Sequence, residues 1–309
     1  MNTAIAEKTI NTQFDFISLK DKDMYRAVNT QVDSISLELK VKDMYRDVAL
    51  NPEGDYHFEM GRVMAERLGY MPKELDQIPA AAIASFAGVG CYFNLADLQQ
   101  GESVIDLGSG SGLDAFNAAI HVGETGKVVG IDMTDEQLEK ARRLQKETSF
   151  NNIDFVKSYI QETPYDDESF DAVISNGVVN LATDKTKVFK EAARLLKPGG
   201  RLVLSDIVTE VQLPENITCD STLWAACIGG ALEIKNYLNA IMAAGLIVEV
   251  VEDNPEYHFI SEGATWATEN YGVKSISILA RKPDGDFSML YPQYFGIKNN
   301  FKGPYSQLN

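Results

Sequence analysis

Nine residues, Val104-Ile-Asp-Leu-Gly-Ser-Gly-Ser-Gly112, concentrate the chemistry of this chain. A β-prone run reaches an acid, Asp106, and then glycines at every second position, Gly108, Gly110 and Gly112, with Ser109 between the first two. Glycine has no Cβ, so such a loop brings bare backbone N–H groups against a ligand where a helix begins. The dinucleotide fingerprint spaces its glycines G-x-G-x-x-G, which sets backbone against a pyrophosphate. Here the spacing is G-x-G-x-G and a carboxylate precedes it, an arrangement that repels phosphate and suits a cation or an amine. A second strand-like run, from Lys127 to Met133, carries Asp132 at its end, placed to accept hydrogen bonds from a ribose diol.

A ligand with both a sulfonium and an amino-acid end meets that acid twice, which makes S-adenosylmethionine the expected cofactor and a nicotinamide dinucleotide the disfavoured one. Aromatic residues surround the glycine segments in sequence: Tyr56 and Phe58 on either side of His57, then Phe86, Tyr92, Phe93 and Trp224. Singly each reads as an ordinary core aromatic. Together, beside Gly88 and Gly90, they are expected to clamp an apolar acceptor. His57 is the candidate general base, because imidazole titrates near neutrality; His121 and His258 read as structural. The cysteines Cys91, Cys219 and Cys227 share no C-x-x-C spacing, so neither a disulfide frame nor a metal site is expected.

Bulk charge narrows the partners. Acids number 45 against 28 lysines and arginines, a formal net charge of −17. A phosphate backbone needs clustered cations to displace its counterions, so nucleic acid is excluded as substrate, and an anionic membrane surface is disfavoured by the same field. No apolar run reaches the roughly 18 residues that span a bilayer, and the first residues lack the apolar block of a signal peptide. The expected compartment is the cytoplasm and the expected partner a small molecule. The sequence carries no signal for oligomeric state.

The elements that must position these residues alternate in type. Strand patterns fall at 103–107, 127–132, 153–157, 171–175 and 201–207, and helical ones at 112–121, 135–148 and 185–196. Such alternation predicts an α/β, Rossmann-like, mostly parallel sheet with flanking helices. Later strand patterns at 246–252 and 275–282, with a helical stretch around Trp266 between them, predict an antiparallel C-terminal edge. Thr134-x-x-Gln137 has the spacing of a capping box, and Leu196-Lys-Pro-Gly-Gly200 should stop its helix sharply. Residues 55–100 read as a helical cap broken by glycine and proline. Before it, 1–54 forms an N-terminal arm with an imperfect tandem repeat: Asn11–Leu19 returns as Asn29–Leu37, and Lys22–Arg26 as Lys42–Arg46. Duplication in a tolerant terminus accounts for the repeat; a pair of lid helices over the site is the alternative. The core is expected over 101–283, with a substrate-side insertion at 211–240, and an aromatic C-terminal tail over 284–309.

On these segments the chain resembles class I S-adenosylmethionine-dependent methyltransferases over about residues 55–283, and within them the arsenite methyltransferase family. The resemblance is carried by Asp106–Gly112, Gly130-Ile-Asp-Met-Thr134, Ile174-Ser-Asn-Gly-Val-Val-Asn-Leu181, Leu196–Gly200 and Leu223–Leu232. It implies that Asp106, Gly108, Ser109, Gly110 and Gly112 wrap the methionine part of the cofactor. It further implies that Asp132 binds the ribose, Met133 packs on the adenine, Tyr159 and Ile160 frame the adenine edge, and Asn176 closes the pocket. Many members carry an acid where Tyr159 stands. Arsenic(III) is soft and held by thiolates, and here the departures lie. The family's Ser-Asn-Cys reads Ser175-Asn176-Gly177, and its Gly-Cys-Gly reads Gly88-Val89-Gly90, followed by Cys91. Of the family's cysteines only Cys227 is matched. The expectation is therefore methyl transfer to a nucleophilic N, O or S atom of a small organic molecule, in a pocket of Tyr56, Phe58, Phe86, Cys91, Tyr92, Trp224 and Cys227. Arsenite is the alternative, and a non-catalytic cofactor-binding protein is the remaining one.

Overall fold

A computed structural model of the chain describes residues 29–214 and 228–285. Ahead of the sheet run α1 (Asn29–Leu50), α2 (Arg62–Leu68), α3 (Pro72–Leu75), α4 (Ala80–Ala84) and α5 (Phe93–Ala96). Only short helices form between 62 and 96, because the punctuating residues prevail. Gly69 adopts φ +111 and ends α2, Pro72 opens α3, and Pro79 precedes α4. The repeat's second copy, Asn29–Arg46, lies within α1.

The core alternates as its periodicity dictates. It comprises β1 (Ser103–Leu107), α6 (Leu113–Val122), β2 (Lys127–Asp132), α7 (Asp135–Lys146), β3 (Ile153–Lys157), β4 (Phe170–Asn176), α8 (Lys185–Leu195) and β5 (Leu196–Thr209). After these come β6 (Leu232–Glu233), α9 (Ile234–Ala243), β7 (Ile247–Asp253), α10 (Glu262–Tyr271) and β8 (Lys274–Arg281). The sheet order is β3-β2-β1-β4-β5-β8-β7, with β6 paired to β5. Strands β1 to β5 pair in parallel, while β8 runs antiparallel to both β5 and β7. The C-terminal pair thus supplies the antiparallel edge, with β8 inserted one place in and β7 outermost.

Both faces of the central strands are covered, which is why β1 reads as a near-continuous apolar run. Val104, Val128, Ala172 and Ile174 pack against Phe116, Leu138 and the N-terminal residues Tyr70, Phe86 and Tyr92. On the other face Ile105, Ile131, Val173 and Leu204 meet Phe189 of α8 and Tyr237 of α9. Each such aliphatic side chain taken from water contributes about 1.5–3 kcal/mol.

Three local expectations change on contact with the tertiary structure. Thr134 caps α7 without a side-chain bond, so the capping box does not close. Gln137 is drawn away instead, accepting from Ser111 Oγ (2.6 Å) and donating to the Tyr45 carbonyl (2.8 Å). The Leu196–Gly200 turn does stop α8, but as part of β5: Leu196 pairs with Phe170 and Arg201 with Ala172, leaving Lys197–Gly200 as a bulge. Residues 234–240, placed in the expected insertion, begin a helix, α9, that runs on to Ala243. Its Ile234, Tyr237, Leu238 and Ile241 recur at helical spacing and bury against the sheet.

Candidate active site

The chain leaves β1 toward β2 and β3, then returns to β4 on the other side of β1. Ligands of open α/β sheets bind where the strand order reverses, outside the carboxyl ends of the strands. The glycine loop stands there. Gly108 N and Ser109 N both donate to the Ile131 carbonyl, at 2.9 and 2.8 Å, folding the loop across the end of β2. Gly110 N donates to Asp132 Oδ2 (3.0 Å), and Thr134 N to Asp132 Oδ1 (2.8 Å). Gly108 is required by packing: at φ +80, an added Cβ would sit 2.4 Å from Val178 Cγ1. Gly110 is required by vacancy, since a Cβ there meets nothing nearer than Gln137 Oε1 at 3.7 Å and would enter the cavity.

Three carboxylates border that cavity: Asp106, Asp114 and Asp132. Burial pushes Asp106 well above the usual carboxylate range, and the charges of Asp114 and Asp132 push it further. Asp114 is also raised by burial, against the pull of hydrogen bonds from Tyr70, Asn176 and Tyr92. Tyr70 Oη and Tyr92 Oη donate to its two oxygens, Tyr92 at 2.9 Å, and Asn176 Nδ2 donates at 3.0 Å. Asp132 is raised by burial and held back by the backbone N–H groups of Thr134 and Gly110. Asp106 Oδ2 and Ser109 Oγ are buried and have no partner among the described residues. A buried acceptor without a donor is costly. A cation with hydrogen-bond donors, placed among these carboxylates, supplies what the site lacks.

Asn176 does more than line the cavity. Its Oδ1 accepts from Val89 N (2.8 Å) and its Nδ2 donates to the Gly90 carbonyl (2.9 Å), while Ser275 Oγ donates to the Val89 carbonyl (2.6 Å). The Gly88–Gly90 segment is thereby pinned to the end of β4. This brings residues 89 and 177 together: a Cβ on Gly177 would lie 3.3 Å from Val89 Cγ1. The roof is α1, whose Glu38, Val41 and Tyr45 border the same cavity, and Phe86, Val178 and Leu181 complete its apolar wall.

Comparisons with known proteins agree with this geometry. Residues 98–245 match a family described as "Methyltransferase domain". An arsenite methyltransferase of Halobacterium salinarum is 36% identical over 251 residues, 79% of this chain and 63% of that protein. Among solved structures, an arsenic(III) S-adenosylmethionine methyltransferase from Chlamydomonas reinhardtii superposes with a TM-score of 0.54 at 29% identity, covering 73% of this chain and 74% of that one. Residues 98–245 of the chain form a methyltransferase domain, on the fold of the class I S-adenosylmethionine-dependent methyltransferases. It spans 63% of the length of that haloarchaeal relative, 50% of the next and 41% of the human one. A geranyl diphosphate C-methyltransferase from Streptomyces coelicolor shares the fold at TM-score 0.59 and 17% identity, over 80% of this chain and 98% of that one.

Within this fold the structure brings together all ten residues expected around the cofactor. Asp106, Gly108, Ser109, Gly110, Gly112, Asp132, Met133, Tyr159, Ile160 and Asn176 border one cavity. The acceptor residues fare differently, and of the described ones Phe86 alone lines it. Tyr92 is fully buried and holds Asp114. Tyr56 and Phe58 stack on each other and Phe58 on Tyr45, at centroid distances of 5.6 and 6.3 Å, so they buttress α1 from behind. His57, the expected base, stands edge-on to Phe58 outside the cavity lining. Cys91 packs in the core beside Gly69, and burial pushes its thiol up to about 12. Trp224 and Cys227 lie outside the described residues, as do Cys219, the first repeat copy and the aromatic tail. Sequence reasoning missed Asp114, Tyr70 and Gln137, and it held the repeat's second copy as a lid helix only as the alternative; that copy lies in α1, over the cavity. Asp114 carried one signal, an acid just past the last glycine in the first helical turn.

Proposed function

We propose that this methyltransferase transfers the methyl group of S-adenosylmethionine to a nucleophilic N, O or S atom of a small, apolar or aromatic organic molecule. S-adenosylmethionine supplies an electrophilic methyl group when bound. Asp106, Asp114 and Asp132 offer the negative field a sulfonium and an ammonium require, and the backbone of Gly108–Gly112 lets the amino-acid end approach closely. Phe86, Val178, Leu181 and the α1 residues Val41 and Tyr45 keep water from the methyl group and line an acceptor up behind it. Positioning at roughly 3 Å carries much of such a transfer. No described imidazole lines the cavity, which favours an acceptor that needs no obligate base, such as a thiolate or free amine.

The observation that carries the choice of acceptor is the contact between positions 89 and 177. Both correspond to cysteines of the arsenite methyltransferase family, and here they are valine and glycine. Cys91 does not replace them, since its thiol is neutral near pH 7 and faces the core. The second reading, arsenite, is favoured by the names of the relatives, the haloarchaeal protein above all. Methyl transfer to arsenite, assayed with excess thiol in the parent, Cys91→Ser and Cys227→Ser, separates the two. We expect no turnover with arsenite in any of them. Parental turnover that collapses in both variants would establish a two-thiolate site and discard the organic acceptor.

A further inference from the structure

The helix that roofs the cavity is fastened by a charged triangle whose third corner is a cavity residue. Lys42 Nζ donates to Glu38 Oε1 at 2.6 Å and to Tyr159 Oη at 2.7 Å, and Tyr159 Oη donates to Glu38 Oε1 at 2.7 Å. The ammonium also stands over the Tyr159 ring, 4.8 Å from its centroid. Burial opposes both charges, yet the hydrogen bonds prevail: Glu38 lies below its ordinary value and Lys42 above it.

The geometry of the triangle is unusual for a surface ion pair. Glu38 and Lys42 sit one turn apart on α1, whereas Tyr159 follows β3 and borders the cavity together with Glu38. The triangle therefore ties the roof to the far wall. Farther along α1 other ties follow: Gln137 Nε2 to the Tyr45 carbonyl at 2.8 Å, Lys140 Nζ to the Ala49 carbonyl at 3.0 Å, the Arg46–Glu136 ion pair at 3.7 Å, and Tyr56 Oη to Asp47 Oδ2 at 2.8 Å. Those bonds anchor the helix where it joins the body and leave the mouth of the cavity to the triangle. Lys42 itself does not line the cavity.

We propose that Lys42 is a positioning residue: with Glu38 it holds Tyr159 and α1 together across the cavity mouth, and thereby retains the bound cofactor. This rests on the reading that the cavity takes S-adenosylmethionine. It also gives the duplicated segment's second copy a task, because Lys42 belongs to the repeated Lys-Asp-Met-Tyr-Arg, while Glu38 falls in the two-residue excess that the first copy lacks.

The test uses the full chain and Lys42→Met, which keeps most of the side chain's apolar length. Stopped-flow measurements with S-adenosylmethionine and S-adenosylhomocysteine should show dissociation faster by about fivefold, the size expected of an exposed but networked ion pair. Association should change little. In the ligand-free protein, amide exchange should quicken across residues 36–46 and stay unchanged across β1. Combining Lys42→Met with Tyr159→Phe should accelerate release by less than the product of the single effects, because both cut the same tie. Unchanged release in Lys42→Met, or full multiplication in the double variant, overturns the proposal. A parent that binds neither ligand by calorimetry overturns the cofactor reading itself, whereas a parent that binds both with Lys42→Met unaltered overturns the tie alone.

Discussion

Asp132 divides its oxygens between Gly110 N and Thr134 N, and each oxygen keeps a lone pair, which under the proposed function would accept from a ribose hydroxyl. Asp132→Ala removes that acceptor and frees the loop at once. The loss of charged hydrogen bonds is about 1.5–3 kcal/mol, so cofactor affinity measured by calorimetry should fall about ten- to a hundredfold. Gly110→Val should do worse, because a side chain there enters the cavity and, at φ +53, a β-branched residue strains the loop; abolished binding with a stability loss of about 1–3 kcal/mol in urea unfolding is the expected pair of results. The raised carboxylates give a sign for pH. Asp106 and Asp114 hold protons at higher pH than free carboxylates do, and a cationic ligand favours their ionised forms. Affinity for the sulfonium cofactor should therefore rise as pH increases through their raised values, with proton release on binding. At this scale the sequence was legible where function is local. Asp106, the glycines and Asp132 announce themselves by spacing, but Tyr70 and Tyr92 reach Asp114 from 44 and 22 residues away, and no local pattern encodes such a contact.

Elements were legible to within a residue or so wherever hydrophobic period and length agreed: β1, β2 and β3 fall on their expected bounds. What the period could not supply is placement. Nothing in the composition of α1 says that it roofs the cavity, and Gln137 abandons its helix cap because Ser111 and the Tyr45 carbonyl need it more. The N-terminal helices are likewise fixed from afar. Arg201 on β5 is nearly buried and grips both oxygens of Glu102 at 2.7–2.8 Å while donating to the carbonyls of Ala96 and Asp97. Glu102→Ala would take from that guanidinium its bidentate partner, leaving the nearby Asp171 and the two carbonyls, and a loss of about 1–3 kcal/mol should appear in urea unfolding. Near the end of the same strand, Asp206 is fully buried and raised to about 6 by that burial, despite bonds from Tyr237 and from the backbone of Ile207 and Asn180. The folded state thus binds this proton more tightly than the unfolded chain does. Stability falls as pH rises from about 4 to about 6 and is level above, by up to about 3 kcal/mol for this group. Asp206→Asn should remove that slope, so the variant gains on the parent as pH climbs through the window in unfolding titrations.

The whole molecule carries a net charge of −17, and its acids are not all on the surface. Asp106 and Asp114, nearly buried, face one cavity with Asp132, so the global field and the local one share a sign. Association of a cationic cofactor should accordingly slow as salt is added, by more than association of a neutral analogue, because screening removes the long-range part of the attraction. Rapid-mixing rates at two ionic strengths provide the check. The crowding of carboxylates has a further consequence, in time rather than in space. The sulfonium form of the cofactor is cationic, and the thioether left after transfer has lost that charge. A pocket whose acids are raised in energy by one another is relieved more by the first form, which carries a sulfonium and an ammonium, than by the second, which keeps the ammonium alone. Three acids around one cavity should therefore hold the form with two positive groups more tightly than the form with one. Calorimetry with both forms checks this: S-adenosylmethionine should bind more tightly than S-adenosylhomocysteine, and the difference should shrink as salt is added.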